Sequence, residues 1–263
     1  MNHVFYHSNC YDGFGAAYAH WKLHPRGSAE YHPVSYGGTI PDVSGETLDI
    51  LDFSYPPETL LELKEKFSFV RVIDHHKTAI EKLCHLQSEP TLELVLDVKK
   101  SGALLTWERF SISPAPELIK HISDRDLWKF EIPGSKEVHR SLVSLPMDFE
   151  IWDKLDVEQL KKEGATLDRL YSRLVDEICK RAWKATIDGH ETVMVNTSIA
   201  WSEVGDRLRQ LYPSVKFVAS FTIFNNSVMW SLRSGPDFDV SQVAKKFGGG
   251  GHYSAAGFKT ARY

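Results

Sequence analysis

Apolar and polar positions follow two different periods along the first half of the chain. Val4-Phe5-Tyr6, Leu48 to Asp52, Phe69 to Ile73 and Leu92 to Leu96 are short, largely apolar runs of strand type, and a further strand is expected near Tyr31 to Tyr36. Helical stretches lie between and after them: Gly15 to about Trp21, Glu58 to Phe67, Thr78 to Leu86, a helix starting at Ser101-Gly102-Ala103, and Pro116 to about Ser123. Gly37-Gly38 and Pro56-Pro57 punctuate the pattern. Strands that alternate with helices at this spacing predict an α/β fold with a doubly wound parallel sheet.

From about Met147 to Trp183 the pattern turns helical. Leu160, Leu167, Leu170, Leu174 and Ile178 recur at mostly helical spacing, and Leu170, Leu174 and Ile178 read as core contacts of a long amphipathic helix packed between two lobes. A second αβ pattern starts after Gly189. It has strands at Thr192 to Val195, Lys216 to Phe224 and Val228 to Leu232, helices at Glu203 to Tyr212 and Val240 to Phe247, and a hairpin at Asn225-Asn226. Gly248 ends the last helix. The predicted organisation is a parallel-sheet domain over residues 1–145, a helical connector over 146–186 and a smaller α/β domain over 187–263.

At 263 residues, 42% hydrophobic and 25% charged, the chain supports a core of ordinary size. A net charge of −4 speaks against a broad basic surface for long nucleic acid. Cys10, Cys84 and Cys179 form no paired motif and read as reduced thiols. No apolar run approaches the ~20 residues of a membrane helix, and Met1-Asn2-His3-Val4 does not open a signal-peptide pattern. The expectation is a cytoplasmic protein with no membrane partner and no obligate protein partner, free to form an oligomer.

Chemistry gathers at the predicted strand ends. His7 and Asp12 follow the first strand, Asp52 the third, and Asp74-His75-His76 the fourth; a later helix leads into Asp124-Arg125-Asp126. In a parallel sheet these positions share the edge where ligands bind. Carboxylates and imidazoles are the ligands of a divalent pair ~3.5–4 Å apart that activates water for in-line attack on phosphorus. The candidates are His7, Asp12, Asp52, His75 and Asp124, with Asp126 competing for the last place. Near the other end of the chain, Gly248-Gly249-Gly250-Gly251 precedes His252, and glycine N–H groups can cradle an anion.

Asp74-His75-His76 together with the glycine run, His252 and Ala255-Ala256-Gly257 resembles the DHH phosphoesterase superfamily, in its DHH plus DHHA1 form. The resemblance covers about Val4 to Phe258. It implies Asp52 as the bridging carboxylate, Asp12, His75 and Asp124 completing one metal site, and His7 serving the other. It also implies that His76 faces substrate phosphate and that Asp74 orients an imidazole. Arg233, Gly249, Gly250, Gly251 and His252 would contact substrate in the cleft between the lobes, and Mn2+ would be the ion, with Mg2+ or Co2+ as substitutes. Asp124 is preferred over Asp126 because it follows Ile122-Ser123 as the family's acid follows an apolar helix end. Cys10 stands where the family usually has aspartate, and reads as a softer ligand or a small buried residue.

The implied activity is metal-dependent hydrolysis of phosphoester bonds in short oligonucleotides or nucleotide phosphates. A short substrate suits the acidic chain. The alternatives are a polyphosphate or pyrophosphate hydrolase of the same superfamily, and a nucleotide sensor with weak catalysis, which Cys10 hints at.

Overall fold

The computed structural model describes residues 1–261, so the last two residues of the expected 187–263 domain lie outside the described residues. The chain divides into two compact units, Met1–Asp168 and Arg169–Tyr263. Among the described residues no helix is long and apolar enough to cross a membrane.

The first unit opens with β1 (Asn2–His7), α1 (Tyr11–Leu23), β2 (Ala29–Val34), β3 (Gly45–Leu51), α2 (Pro57–Lys64), β4 (Phe67–Asp74), α3 (Lys77–Leu83) and β5 (Leu92–Leu96). It continues with α4 (Gly102–Phe110), α5 (Glu117–Asp126), α6 (Ser135–Val143), α7 (Phe149–Trp152) and the start of α8 (Val157–Cys179). The strands form one parallel sheet in the order β2-β1-β3-β4-β5. The α/β class expected from the periodicity is the class found.

Alternate strand residues serve opposite faces. Val4, Leu51 and Ile73 pack with Phe14, Ala103 and Ile119 of α1, α4 and α5. Phe5, Ile50 and Val72 pack instead with Leu60 and Leu63 of α2 and Leu83 of α3. Both faces are therefore covered, which is why these strands read as nearly continuous apolar runs. The strand order reverses between β1 and β3, and that switch opens a crevice at their carboxyl ends. His7 closes β1, Asp52 follows β3, and Asp74 closes β4.

The second unit holds the end of α8, then β6 (Trp183–Ile187), β7 (His190–Asn196), α9 (Trp201–Leu211), β8 (Phe217–Phe224) and β9 (Ser227–Ser234). α10 (Val240–Lys246), β10 (Gly250–Gly251) and β11 (Ala255–Ala261) complete it. Its mixed sheet runs β10-β11-β9-β8-β7-β6, with β7 and β8 parallel. The expected hairpin is present, and Asn225 takes the left-handed φ of +52° that its turn requires.

Two local readings change. The periodicity does not announce β6, an edge strand on which Trp183, Lys184 and Thr186 are exposed. Leu170 and Leu174 are exposed rather than core. The C-terminal half of α8 instead buries Val175 and Cys179, with Tyr171 and Ile178 partly covered, against Val204 and Leu208 of α9. The helix phase thus lies about one residue away from the leucine stripe.

Candidate metal centre

Asp52 is the first residue beyond β3, and its φ of +52° puts a non-glycine residue in the left-handed region. Such a conformation costs on the order of 1 kcal/mol and persists where the surroundings enforce it. Here the Asp52 N–H donates to the Ile73 carbonyl on β4 at 2.8 Å. The carboxylate then addresses two imidazoles: Oδ1 lies 3.1 Å from His75 Nε2 and Oδ2 lies 3.4 Å from His7 Nδ1. Both oxygens are buried, and neither accepts a hydrogen bond of normal geometry.

Further acids surround His75. Asp12 Oδ2 is 3.6 Å and Asp126 Oδ2 is 3.5 Å from His75 Nε2. Asp12 is fixed by the first turn of α4, where Gly102 N–H donates to Oδ2 at 2.6 Å and Ala103 N–H to Oδ1 at 3.0 Å. A helix N-terminus favours a carboxylate in this place. On the other side of Asp52, ligand atoms of His7, Cys10 and Asp52 all lie within 4.8 Å of one another, as do those of Asp12, His75 and Asp126. Asp52 touches both groups.

Asp74 and His76 form an adjoining pair. Asp74 Oδ1 accepts from His76 Nδ1 at 2.7 Å, and from the backbone N–H groups of His75 and His76 at 2.7 and 3.1 Å. One aspartate therefore shapes the turn and orients an imidazole.

The structure brings His7, Asp12, Asp52, His75, His76 and Asp74 together, but not Asp124. Asp124 Oδ1 accepts from Glu131 N–H at 2.9 Å, and Oδ2 from Ile132 N–H at 3.1 Å and from Ser135 Oγ–H at 2.5 Å. Its carboxylate is spent on folding the loop between α5 and α6. Asp126 takes the place expected for Asp124, because α5 continues to residue 126. Gly102 gives no signal in the sequence beyond starting a helix, yet it is one of the residues that hold Asp12.

The charges are unbalanced toward the anionic side. Burial raises the pKa of Asp12 well above the usual carboxylate range, and Asp52 and Asp126 push it further. Burial opposes ionisation of Asp52 as well, but His7 and His75 hold its pKa well below the ordinary value. Burial works against a charged His75, yet Asp52, Asp126 and Asp12 push its pKa up to about 10. Burial and the same three carboxylates raise the Cys10 thiol. Crowded buried carboxylates, imidazoles and two orphaned Asp52 oxygens form a donor set that fits a divalent cation.

In the second unit, Arg233 on β9 donates from Nη1 to Ser231 Oγ at 2.8 Å and to the Leu232 carbonyl at 2.9 Å, and from Nη2 to Ser202 Oγ at 2.9 Å. The glycine run departs from the anion cradle expected of it. Gly248 N–H donates to Lys245 O at 3.0 Å, Gly249 N–H to Ala244 O at 2.9 Å, and His252 N–H to Ala255 O at 2.8 Å. Gly250 and Gly251 pair with Gly257 and Ala256. A Cβ on Gly249 would stand 2.0 Å from the Gly257 carbonyl oxygen. Close packing against β11 accounts for glycine there.

No protein-family model matches the sequence. Two curated proteins are similar to it. "Uncharacterized protein R106" of Acanthamoeba polyphaga mimivirus is 30% identical over 281 residues, covering 97% of this chain. Oligoribonuclease NrnB of Bacillus subtilis (strain 168) is 26% identical over 214 residues, covering 72%. The chain spans 66% and 52% of the lengths of these relatives. Among solved structures, the DHH domain of a protein described as belonging to a family of ribosomal proteins aligns at a TM-score of 0.56 and 12% identity, over 99% of this chain and 82% of that one. RecJ from Thermus thermophilus, in complex with Mn2+, aligns at 0.52 and 14%, over 98% of this chain and 49% of its own.

The chain belongs to the DHH phosphoesterase superfamily. The superfamily's namesake triplet is Asp74-His75-His76, at the carboxyl end of β4. In this DHH chain the triplet's middle histidine faces the carboxylate cluster, and its last histidine is paired with its own aspartate.

Proposed function

We propose that this chain is a divalent-metal-dependent phosphoesterase acting on short oligonucleotides or nucleotide phosphates. The observation that carries this reading is Asp52, whose two buried oxygens lack hydrogen bonds and face different imidazoles. His7 and Asp52, with Cys10 beside them, would hold one cation; Asp12, Asp52, His75 and Asp126 would hold the other. Mn2+ is the proposed ion, with Mg2+ or Co2+ as substitutes, in line with the Mn2+ bound to RecJ. Such ions supply Lewis acidity, which polarises a phosphoryl oxygen and eases deprotonation of water at neutral pH.

The protein's own groups do the positioning. Asp12 is clamped by the α4 N-terminus and cannot drift from the cluster. Burial disfavours the imidazolium of His76, but Asp74 outweighs it and raises the pKa. The protonated ring then offers Nε2–H to a phosphate oxygen. In the second unit, which we assign to a DHHA1-type module, Arg233 and His252 would contact substrate phosphate, with the Gly249-Gly250-Gly251 segment supplying a surface without side chains. The name of NrnB as an oligoribonuclease supports short RNA as one substrate class.

The test is turnover with Mn2+ on dinucleotides to ~10-mers, 3′,5′-bisphosphorylated adenosine, polyphosphate and pyrophosphate. Short oligonucleotides or nucleotide phosphates should be cleaved and Asp52→Asn should be inactive. Turnover confined to polyphosphate or pyrophosphate would overturn the substrate assignment. Tight nucleotide binding without turnover at saturating metal would make the chain a sensor instead.

A further inference from the structure

A second group of metal-type ligands lies on the first sheet, away from the Asp52 cluster. β2 is an edge strand whose partner is β1, and in their register His3 faces Glu30 while Phe5 faces His32. Paired parallel residues and their i+2 neighbours share a face, so His3, Glu30 and His32 project together. His3 Nδ1 lies 3.0 Å from His32 Nε2 and 3.6 Å from Glu30 Oε2, and His32 Nε2 lies 3.9 Å from the same oxygen. A tetrahedral ion with bonds of about 2.0–2.1 Å sets its ligands about 3.3 Å apart. The three observed edges straddle that value.

The rings are held in place. Phe67 packs edge-on to His3 at 5.8 Å between centroids, and Phe5 edge-on to His32 at 5.5 Å. His3 is buried and His32 half-buried, while Glu30 is exposed, so the group is walled on one side and open to water on the other. Burial, then the neighbouring His3 ring, lowers the pKa of His32, which favours the neutral imidazole that a metal needs. His3 and His7 are four positions apart on β1, a distance of about 13 Å along the strand.

We propose that His3, Glu30 and His32 form a separate Zn2+ site, with a fourth position open to water, that clips the edge strand β2 to β1. Two imidazoles and one carboxylate suit Zn2+, or Co2+ as its spectroscopic stand-in, better than Mg2+ or Ca2+. Bound metal would add a fastening to an edge strand whose backbone is paired on one side alone.

The chain carrying Asp52→Asn and His75→Asn, which removes proposed ligands of the first centre, is titrated with Co2+ and followed by visible absorption. One equivalent should bind with the intense bands of a four-coordinate ion, and Zn2+ should displace it. Adding His32→Gln should abolish the bands, and adding Glu30→Gln on the exposed rim should weaken binding at least tenfold. Zn2+ should raise the melting temperature of the parent, and that rise should vanish in both added variants. Absence of four-coordinate bands in the parent, or the same bands and affinity in Glu30→Gln, would overturn the site. Glu30→Gln decides the matter should His32→Gln fail to fold.

Discussion

Gly102 lies so close to Asp52 that a Cβ on the glycine would stand 2.5 Å from the Asp52 Cβ. The same added atom would come within 3.0 Å of Asp12 Oδ2. One missing methyl group therefore lets α4 donate to Asp12 while Asp52 keeps its strained backbone. Gly102→Ala should displace one or both carboxylates. A shift of about 1 Å in a catalytic group can lower turnover ~100-fold, and overpacking of this kind costs about 1–3 kcal/mol of stability. Steady-state kinetics at saturating Mn2+, with a thermal melt, measures both. Wild-type turnover in Gly102→Ala would mean that Asp52 does not need its present position.

Asp124 and Asp126 should fail in different ways when altered. Asp124→Ala leaves Glu131 N–H, Ile132 N–H and Ser135 Oγ without their acceptor, so stability should fall by about 1–3 kcal/mol or more. Asp126→Asn removes one of several crowded carboxylates near His75. Its metal-free form should melt no lower than wild type, while its Mn2+ affinity drops at least tenfold. Calorimetric titration beside denaturant unfolding separates the two. Loss of Mn2+ affinity in Asp124→Ala at full stability would restore Asp124 as the ligand.

That pair also shows how far the sequence reaches. A strand that runs from Phe69 through Ile73 into Asp74-His75-His76 is legible because the apolar run and the polar ligands adjoin in sequence. The clustering of His7, Asp52 and His75 follows from parallel topology once strands alternate with helices. Asp124 and Asp126 lie roughly 200° apart around a helix, so the choice between them rests on how far α5 runs. Ending it near Ser123 favours Asp124, whereas the helix runs to Asp126, whose carboxylate is the one that faces His75. The packing of the glycine run is hidden for a different reason. Its constraint comes from Gly257 and Phe258 on β11, a contact between strands that local pattern does not encode. The contact of Gly102 with Asp52, fifty residues away, is hidden in the same way.

Metal binding should be coupled to proton release through His75. Although burial opposes it, the carboxylates of Asp52, Asp126 and Asp12 push the His75 pKa from 6.5 up to about 10 in the metal-free protein. A cation that takes Nε2 must displace the proton, so affinity should rise by up to about tenfold per pH unit between pH 7 and 9. The stability of the metal-free form should slope the other way. A raised folded pKa contributes in full below the unfolded value of 6.5 and is lost as pH climbs toward about 10. Calorimetry in buffers of different ionisation enthalpy should find about one proton released at pH 8, and His75→Asn should flatten the slope. Affinity independent of pH in wild type would remove His75 from the ligand set.

Tyr36 offers a way to separate nucleotide from inorganic substrates. It follows β2, stays 56% exposed, and packs its ring at a tilt of 33° against Phe53, 4.3 Å between centroids. The ring also lies 5.5 Å from that of His7 and 6.4 Å from that of His76. An exposed aromatic face beside the proposed phosphate contact of His76 can stack a nucleobase, a contact worth about 1–3 kcal/mol by alanine substitution. Tyr36→Ala should therefore raise KM for dinucleotides about 5- to 150-fold and leave kcat near wild type, because the ring donates no metal ligand. Pyrophosphate and polyphosphate have no base to stack, so any turnover of them should be unchanged. Equal losses on nucleotide and inorganic substrates would assign Tyr36 to the support of His7 and Phe53 instead. A KM unmoved on every oligonucleotide would place the base elsewhere on the chain.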